Sequence, residues 1–156
     1  MPVPPIPSGY HSVTPYLAID GAARALAFYA EAFGARERMR LEAPGGKIGH
    51  AEIEIGDSVI MLADPWPEGQ FVAPSGGAVS VSLHLYVEDA DAVFSRAIAA
   101  GAVPVQPMET KFYGDRAGTV RDPFGHHWHL ATRVEDVTPE EIRRRAAAAM
   151  PASQGG

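Results

Sequence analysis

The chain repeats itself. A shift of 68 residues lays Leu17 on Leu85, Ile19 on Val87, Leu26 on Phe94, Ala30 on Ile98, Ile60 on Trp128 and Leu62 on Leu130. These positions are apolar, and the elements that carry them recur in one order: a strand, a helix and three strands, twice. A sheet of this size cannot bury its apolar face alone. The duplication therefore predicts two halves sharing one core, and 156 residues suffice for one such domain.

In the first half, Ser12–Ile19 alternates as a strand does, with Val13, Leu17 and Ile19 on one face. Asp20 reads as the N-cap of a helix over Ala22–Phe33, which places Leu26, Tyr29, Ala30 and Phe33 on one face and stops at Gly34. Strands follow at about Glu37–Glu42, Ile48–Ile55 and Ser58–Ala63, then a proline- and glycine-rich loop over Asp64–Gly77. The second half predicts a strand over Val81–Val87, an Asp89 cap, and a helix over Ala90–Ala100 with Val93, Phe94, Ala97 and Ile98 inward. Its later strands fall near Val103–Pro107, Thr119–Arg121 and His127–Thr132, with Gly114, Gly118 and Gly125 read as turn positions. Thr138-Pro139-Glu140-Glu141 is a capping box opening a helix to about Met150, its three arginines paired to nearby acids on a solvated face. The expected organisation is an extended tail over residues 1–11 and a domain over 12–135, divided into module one (12–64), a loop (65–79) and module two (80–135). A helix over 136–150 and a flexible tail over 151–156 complete it.

Composition narrows the partners. A net charge of −6 argues against nucleic acid and anionic membrane surfaces, both of which call for a basic patch. No apolar run approaches the length of a membrane span. The chain has no cysteine, which excludes disulfides, thiolate metal sites and a cysteine nucleophile. Together with an N-terminus that does not read as a signal peptide, this favours the cytoplasm.

Several stretches resemble the PhnB-like branch of the vicinal-oxygen-chelate superfamily, which includes glyoxalases, bleomycin-resistance proteins and dioxygenases. They are Thr14-Pro-Tyr-Leu17, Ala27-Phe-Tyr-Ala-Glu-Ala-Phe-Gly-Ala35, His50-Ala-Glu-Ile53, Ile55-Gly-Asp57, Tyr113-Gly-Asp-Arg116, and Asp122-Pro-Phe-Gly-His126 followed by Trp128. The resemblance implies an α+β fold of two βαβββ modules, a cupped mixed sheet with helices on its outer face. It also implies a homodimer and a divalent metal held by the first and last strands of each module. Those positions map here onto Thr14, Met61, Ser82 and His129, and the 68-residue shift carries Thr14 onto Ser82 and Met61 onto His129.

Of the four, only His129 is a good ligand for zinc, nickel or iron, because hydroxyls bind such ions weakly and a thioether favours copper(I). The expectation is that the usual metal site, and with it a cofactor, is absent. A displaced divalent metal site remains open, built from His50, Glu52, His84 and His129. Glu52 paired with His84 or His129 is a candidate acid–base couple that needs no metal. Thr14, Tyr16, His50, Met61, Trp66, Ser82, His84, Tyr86, Tyr113 and His129 are the expected ligand-binding residues, with Phe112 adding to an aromatic wall. Asp115 and Arg116 read as structural ties of their loop. Two functions follow: a metal-free protein that holds an apolar or aromatic small molecule, or a metal-dependent lyase, isomerase or extradiol-type dioxygenase.

Overall fold

The structure, a computed structural model, describes residues 2–149. The expected tail over 151–156, with Met150 and Met1, lies outside the described residues. Eight strands and three helices follow the duplicated order: β1 (Tyr16–Ala18), α1 (Ala22–Phe33), β2 (Arg36–Ala43), β3 (Lys47–Ile55), β4 (Ser58–Ala63), then β5 (Leu83–Tyr86), α2 (Ala90–Ala100), β6 (Val103–Thr110), β7 (Asp115–Arg121), β8 (His127–Arg133), and finally α3 (Pro139–Ala149). They form two four-stranded mixed sheets of equivalent order, β1-β4-β3-β2 and β5-β8-β7-β6. This is the α+β arrangement of two βαβββ modules. In each sheet the first strand runs parallel to the last strand of its module, and the other pairs are antiparallel.

The repeat extends to backbone register. Tyr16 pairs with Met61 as His84 pairs with His129, and Leu17 with Leu62 as Leu85 with Leu130, at the same shift of 68. On the next strand Glu52 opposite Met61 corresponds to Thr119 opposite His129. Strand alternation then sorts each sheet into two faces. Ala51, Ile53, Ile60 and Leu62 in the first sheet, and Val120, Trp128 and Leu130 in the second, join one core with Leu26, Tyr29 and Phe33 of α1 and Val93 and Ala97 of α2. Helices α1 and α2 pack against each other. Glu52, Met61 and Tyr16, and likewise Thr119, His129 and His84, alternate onto the opposite, helix-free faces.

The two modules meet around Trp128, whose ring lies 4.7 Å from Phe33 and 5.3 Å from Tyr29. Its indole Nε1 donates to Asp122 Oδ2 at 3.0 Å, and Tyr29 Oη donates to the same oxygen at 2.5 Å. Asp122 Oδ1 takes the backbone amides of Phe124 and His126, closing the turn between β7 and β8. Burial, followed by the Asp122 charge, raises the Tyr29 phenol well above its ordinary value.

Four local expectations are corrected. The N-cap of α1 is Gly21, in the left-handed region at φ 98°, and not Asp20. Buried Asp64 reaches across from the end of β4 and accepts from the Gly21 and Ala22 amides, doing from a distance what a cap does locally. The first strand is shorter than Ser12–Ile19, because Pro15 has no N–H and only its carbonyl enters the ladder, accepting from Met61. β6 runs past Pro107 to Thr110, and it is an edge strand, where a missing donor is tolerated. Gly118 lies inside β7 and not at a turn; a Cβ there would meet Met108 Sδ at 2.6 Å on the neighbouring strand. Among the described residues no helix is long and apolar enough to cross a membrane.

Candidate functional site

The helix-free face of the second sheet carries a histidine pair. His84 on β5 and His129 on β8 stand in register with rings 5.8 Å apart. Both nitrogens of His129 are engaged, Nε2 with Ser82 Oγ at 2.9 Å and Nδ1 with Thr119 Oγ1 at 2.7 Å. Burial, then the neighbouring His84 and His127, push the His129 imidazole below its ordinary value, so the ring is neutral at neutral pH. The two histidines and Thr119 line a hollow of about 410 Å³ with Gln106, Phe112 and Tyr113.

The loop that walls this hollow is tied at both ends. Arg145 of α3 donates to the Phe112 carbonyl at 3.0 Å and pairs with Glu135 and Glu141. Arg144 and Arg145 hold the Glu141 carboxyl down to about 2, so this anchor keeps its charge through the ordinary pH range. Tyr86 Oη donates to buried Asp115 at 2.7 Å, and Arg116 makes a two-pronged pair with Asp91. Gly114 turns the loop at φ 102°, and its carbonyl accepts from the Val134 and Glu135 amides. A Cβ at Gly114 would overlap the Glu135 carbonyl oxygen. Gly114→Ala is expected to cost about 2–3 kcal/mol in urea unfolding, from combined backbone strain and collision. It should also speed amide exchange at Phe112 and Tyr113.

The first sheet presents a different set. His50 Nε2 donates to Glu52 Oε2 at 2.8 Å, Tyr16 Oη lies 2.6 Å from His50 Nδ1, and Tyr10 Oη donates to Glu52 Oε1. Tyr10, in the segment read from sequence as an extended tail, thus reaches this sheet; Arg38 sits 4.9 Å over the Tyr10 ring. Tyr10 was missed because nothing local in Ser8-Gly9-Tyr10 marks a contact 42 residues away. Thr119 was missed too, because the 68-residue shift carries Glu52 onto Val120 and only the sheet register makes Thr119 its counterpart.

The remaining expected residues are spread over several places. Thr14 and His84 share a small cavity of about 150 Å³ near the module junction. Tyr86 and His84 border a groove of about 960 Å³ along α2. Trp66 packs on Phe71 (4.9 Å) within the loop between modules, and Phe71 in turn packs on Tyr16 of β1 (5.1 Å). Met61 lies on the helix-free face beside Glu52. Glu52 pairs with His50 and Tyr10 rather than with His84 or His129.

The donor set does not suit the superfamily's divalent metal. Met61 and Thr14 are poor ligands for a borderline cation, and Ser82, a third such position, spends its hydroxyl on His129. His50 with Glu52 and His84 with His129 form two separate pairs. Among the described residues no group of three or more His, Asp or Glu side chains is placed to hold a metal ion.

Comparison with known proteins agrees with this architecture. Residues 10–130 match the Glyoxalase/Bleomycin resistance protein/Dioxygenase superfamily. The uncharacterized protein Rv0887c of Mycobacterium tuberculosis is 43% identical over 136 residues, covering 85% of this chain and 80% of the relative. The crystal structure of TioX from Micromonospora sp. ML1 superposes with a TM-score of 0.62 at 31% identity, covering 82% of this chain and all of TioX. The PhnB protein from Bacillus cereus shares the fold, with a TM-score of 0.61 at 22% identity over 78% of this chain and 99% of that one. On the family match, the duplicated βαβββ architecture and these relatives, the chain belongs to the glyoxalase/bleomycin resistance protein/dioxygenase superfamily.

Proposed function

We propose that this chain is a small-molecule-binding protein that holds an apolar or aromatic ligand on the helix-free face of its second sheet, without the superfamily's divalent metal. One observation carries the reading: the His129 imidazole, which a metal would need, is bracketed by the Ser82 and Thr119 hydroxyls inside a hollow walled by Phe112, Tyr113 and His84. Aromatic walls with a few fixed polar groups are the usual make-up of a site for an organic ligand. A second copy of the chain completes the cup. Exposed Val13, Val81 and Tyr86 near the edge strands β1 and β5 favour such a homodimer. The cytoplasm is its compartment, in keeping with the lack of cysteine.

The test is metal content of protein purified without a nickel column, before and after incubation with zinc, nickel, manganese or iron(II). Less than about 0.1 equivalent of retained metal is expected. One tightly held equivalent that disappears in His129→Ala would refute the metal-free reading and restore a metal-dependent lyase, isomerase or dioxygenase. Binding is read separately, from His129 and Thr119 NMR shifts on addition of naphthalene-sized aromatic probes.

A further inference from the structure

Most arginines of this chain pair with carboxylates, lie over aromatic rings or donate to a backbone carbonyl. Among the described residues, Arg121 and Arg143 make no ion pair and no hydrogen bond. Arg143 is exposed on α3, where water serves it. Arg121, at the end of β7, is half-buried. The chain has 19 acidic residues against 13 basic ones, so a lack of carboxylates is not the reason. A guanidinium withdrawn from water without an acceptor is costly, and an acceptor from outside the chain would relieve that cost.

The surroundings of Arg121 form a receptacle. A Cβ at Gly77 would stand 3.6 Å from Arg121 Nη1, and one at Gly125 would stand 3.0 Å from Pro74. The loop between the modules thus rests on the Arg121 guanidinium at one point and on the turn between β7 and β8 at another. The residues of both contacts line a single hollow of about 430 Å³, together with Ser75, Val103, Pro123 and Phe124. It shares no residue with the hollow around His129.

The polar groups of this hollow suit an anion. Asp122 is the only other charged residue in its wall, and it is 2% exposed. Both Asp122 oxygens are taken, one by Tyr29 and Trp128 and the other by the amides of Phe124 and His126. Its charge is therefore spent inward. The Ser75 hydroxyl and the amides of Ser75, Gly76 and Gly77 have no partner among the described residues. A guanidinium flanked by hydroxyl and amide donors is the set that takes an oxyanion. Val103, Pro123 and Phe124 add apolar surface for an organic body, and one unpaired positive charge matches one negative charge.

We propose that Arg121 and the loop over residues 75–77 bind a small organic carboxylate. The guanidinium takes the carboxylate oxygens, and the apolar body lies against Val103, Pro123 and Phe124. This site is separate from ligand binding beside His129, and either can exist without the other.

Benzoate and benzamide, titrated into the full chain and followed by nitrogen-15 NMR, test this, because the two differ in charge and little else. Benzoate is expected to shift the Gly77 amide and the Arg121 Nε–H signals saturably. Its half-saturating concentration should lie at least about 10-fold below that of benzamide, the scale of a charge-assisted hydrogen bond. Arg121→Gln should erase the preference for benzoate while the circular dichroism spectrum stays that of the wild type. Arg121→Lys should keep only part of it, since an ammonium cannot make the two-pronged pair. Benzoate that leaves both signals unmoved, or binds no better than benzamide, overturns the proposal, as does a preference that persists in Arg121→Gln. Shifts centred on Thr119 and His129 instead would also overturn it, in favour of the other hollow. Tighter binding of inorganic phosphate than of benzoate would overturn the carboxylate assignment. The wild-type titrations decide even where a variant fails to fold.

Discussion

Asp122→Ala is expected to lower the unfolding free energy by about 3–5 kcal/mol, seen as a shift in the urea midpoint and a melting temperature lower by about 10 °C or more. Asp122 is 2% exposed and takes four donors: the Tyr29 hydroxyl, the Trp128 indole N–H and the amides of Phe124 and His126. Alanine removes every acceptor and leaves the donors in a site that water reaches poorly, so the desolvation cost of each is felt. Tyr29 is the worst placed, fully buried on α1 and 93 residues from its partner. Asp122→Asn keeps Oδ1 for the turn amides and should lose less, about half as much, because its NH₂ then faces two donors instead of accepting from them. A drop below 1 kcal/mol for Asp122→Ala would mean that these donors find other partners, and that the modules are not locked here.

Trp128→Ala should be comparably severe, about 3–5 kcal/mol by the same measurement. Trp128 is 1% exposed and packs against Tyr29 and Phe33, which belong to the other module. Truncation opens a cavity at the junction and also frees one Asp122 oxygen of its indole donor. The two substitutions touch one network, so their costs should not add. The double variant should be less destabilised than the sum of the single ones by about 1 kcal/mol or more. Strict additivity would separate ring packing from the carboxylate and contradict the geometry. Neither residue reaches the helix-free faces, so any loss of ligand binding should follow the loss of fold.

Much of this was legible from the repeat. The helices Ala22–Phe33 and Ala90–Ala100 and the strand Ser58–Ala63 fall where periodicity puts them, because glycine stops and apolar spacing are local signals. The Asp89 cap is local in the same way, its side chain accepting from the Ala92 amide. Strand ends were less readable. Proline in an edge strand and Asp-Arg-Ala-Gly at the start of β7 look like loop by propensity, yet the partner strand supplies the ladder. The cap on α1 was misread because its carboxylate comes from Asp64, more than 40 residues away.

The candidate site was legible as a set of residue types and not as an arrangement. Alternation assigned His50 and Glu52 to one face and His84 to the face of Ser82, since a period of two needs no tertiary knowledge. Which of them meet is a different kind of fact. Glu52 pairs with His50 and Tyr10, and His129 with Ser82 and Thr119, because sheet register and the path of the N-terminal segment fix distances that spacing along the chain does not encode.

The amino-acid sequence by itself determined the duplication, its elements and the poverty of metal ligands at Thr14, Met61 and Ser82, since these rest on residue identity and local period. Only the tertiary structure decided that Tyr10 covers Glu52, that Asp122 joins the modules, and that the two histidine sets lie on separate sheets. Such contacts depend on where two halves of the chain come to rest against each other, which is set by the packing of the whole core.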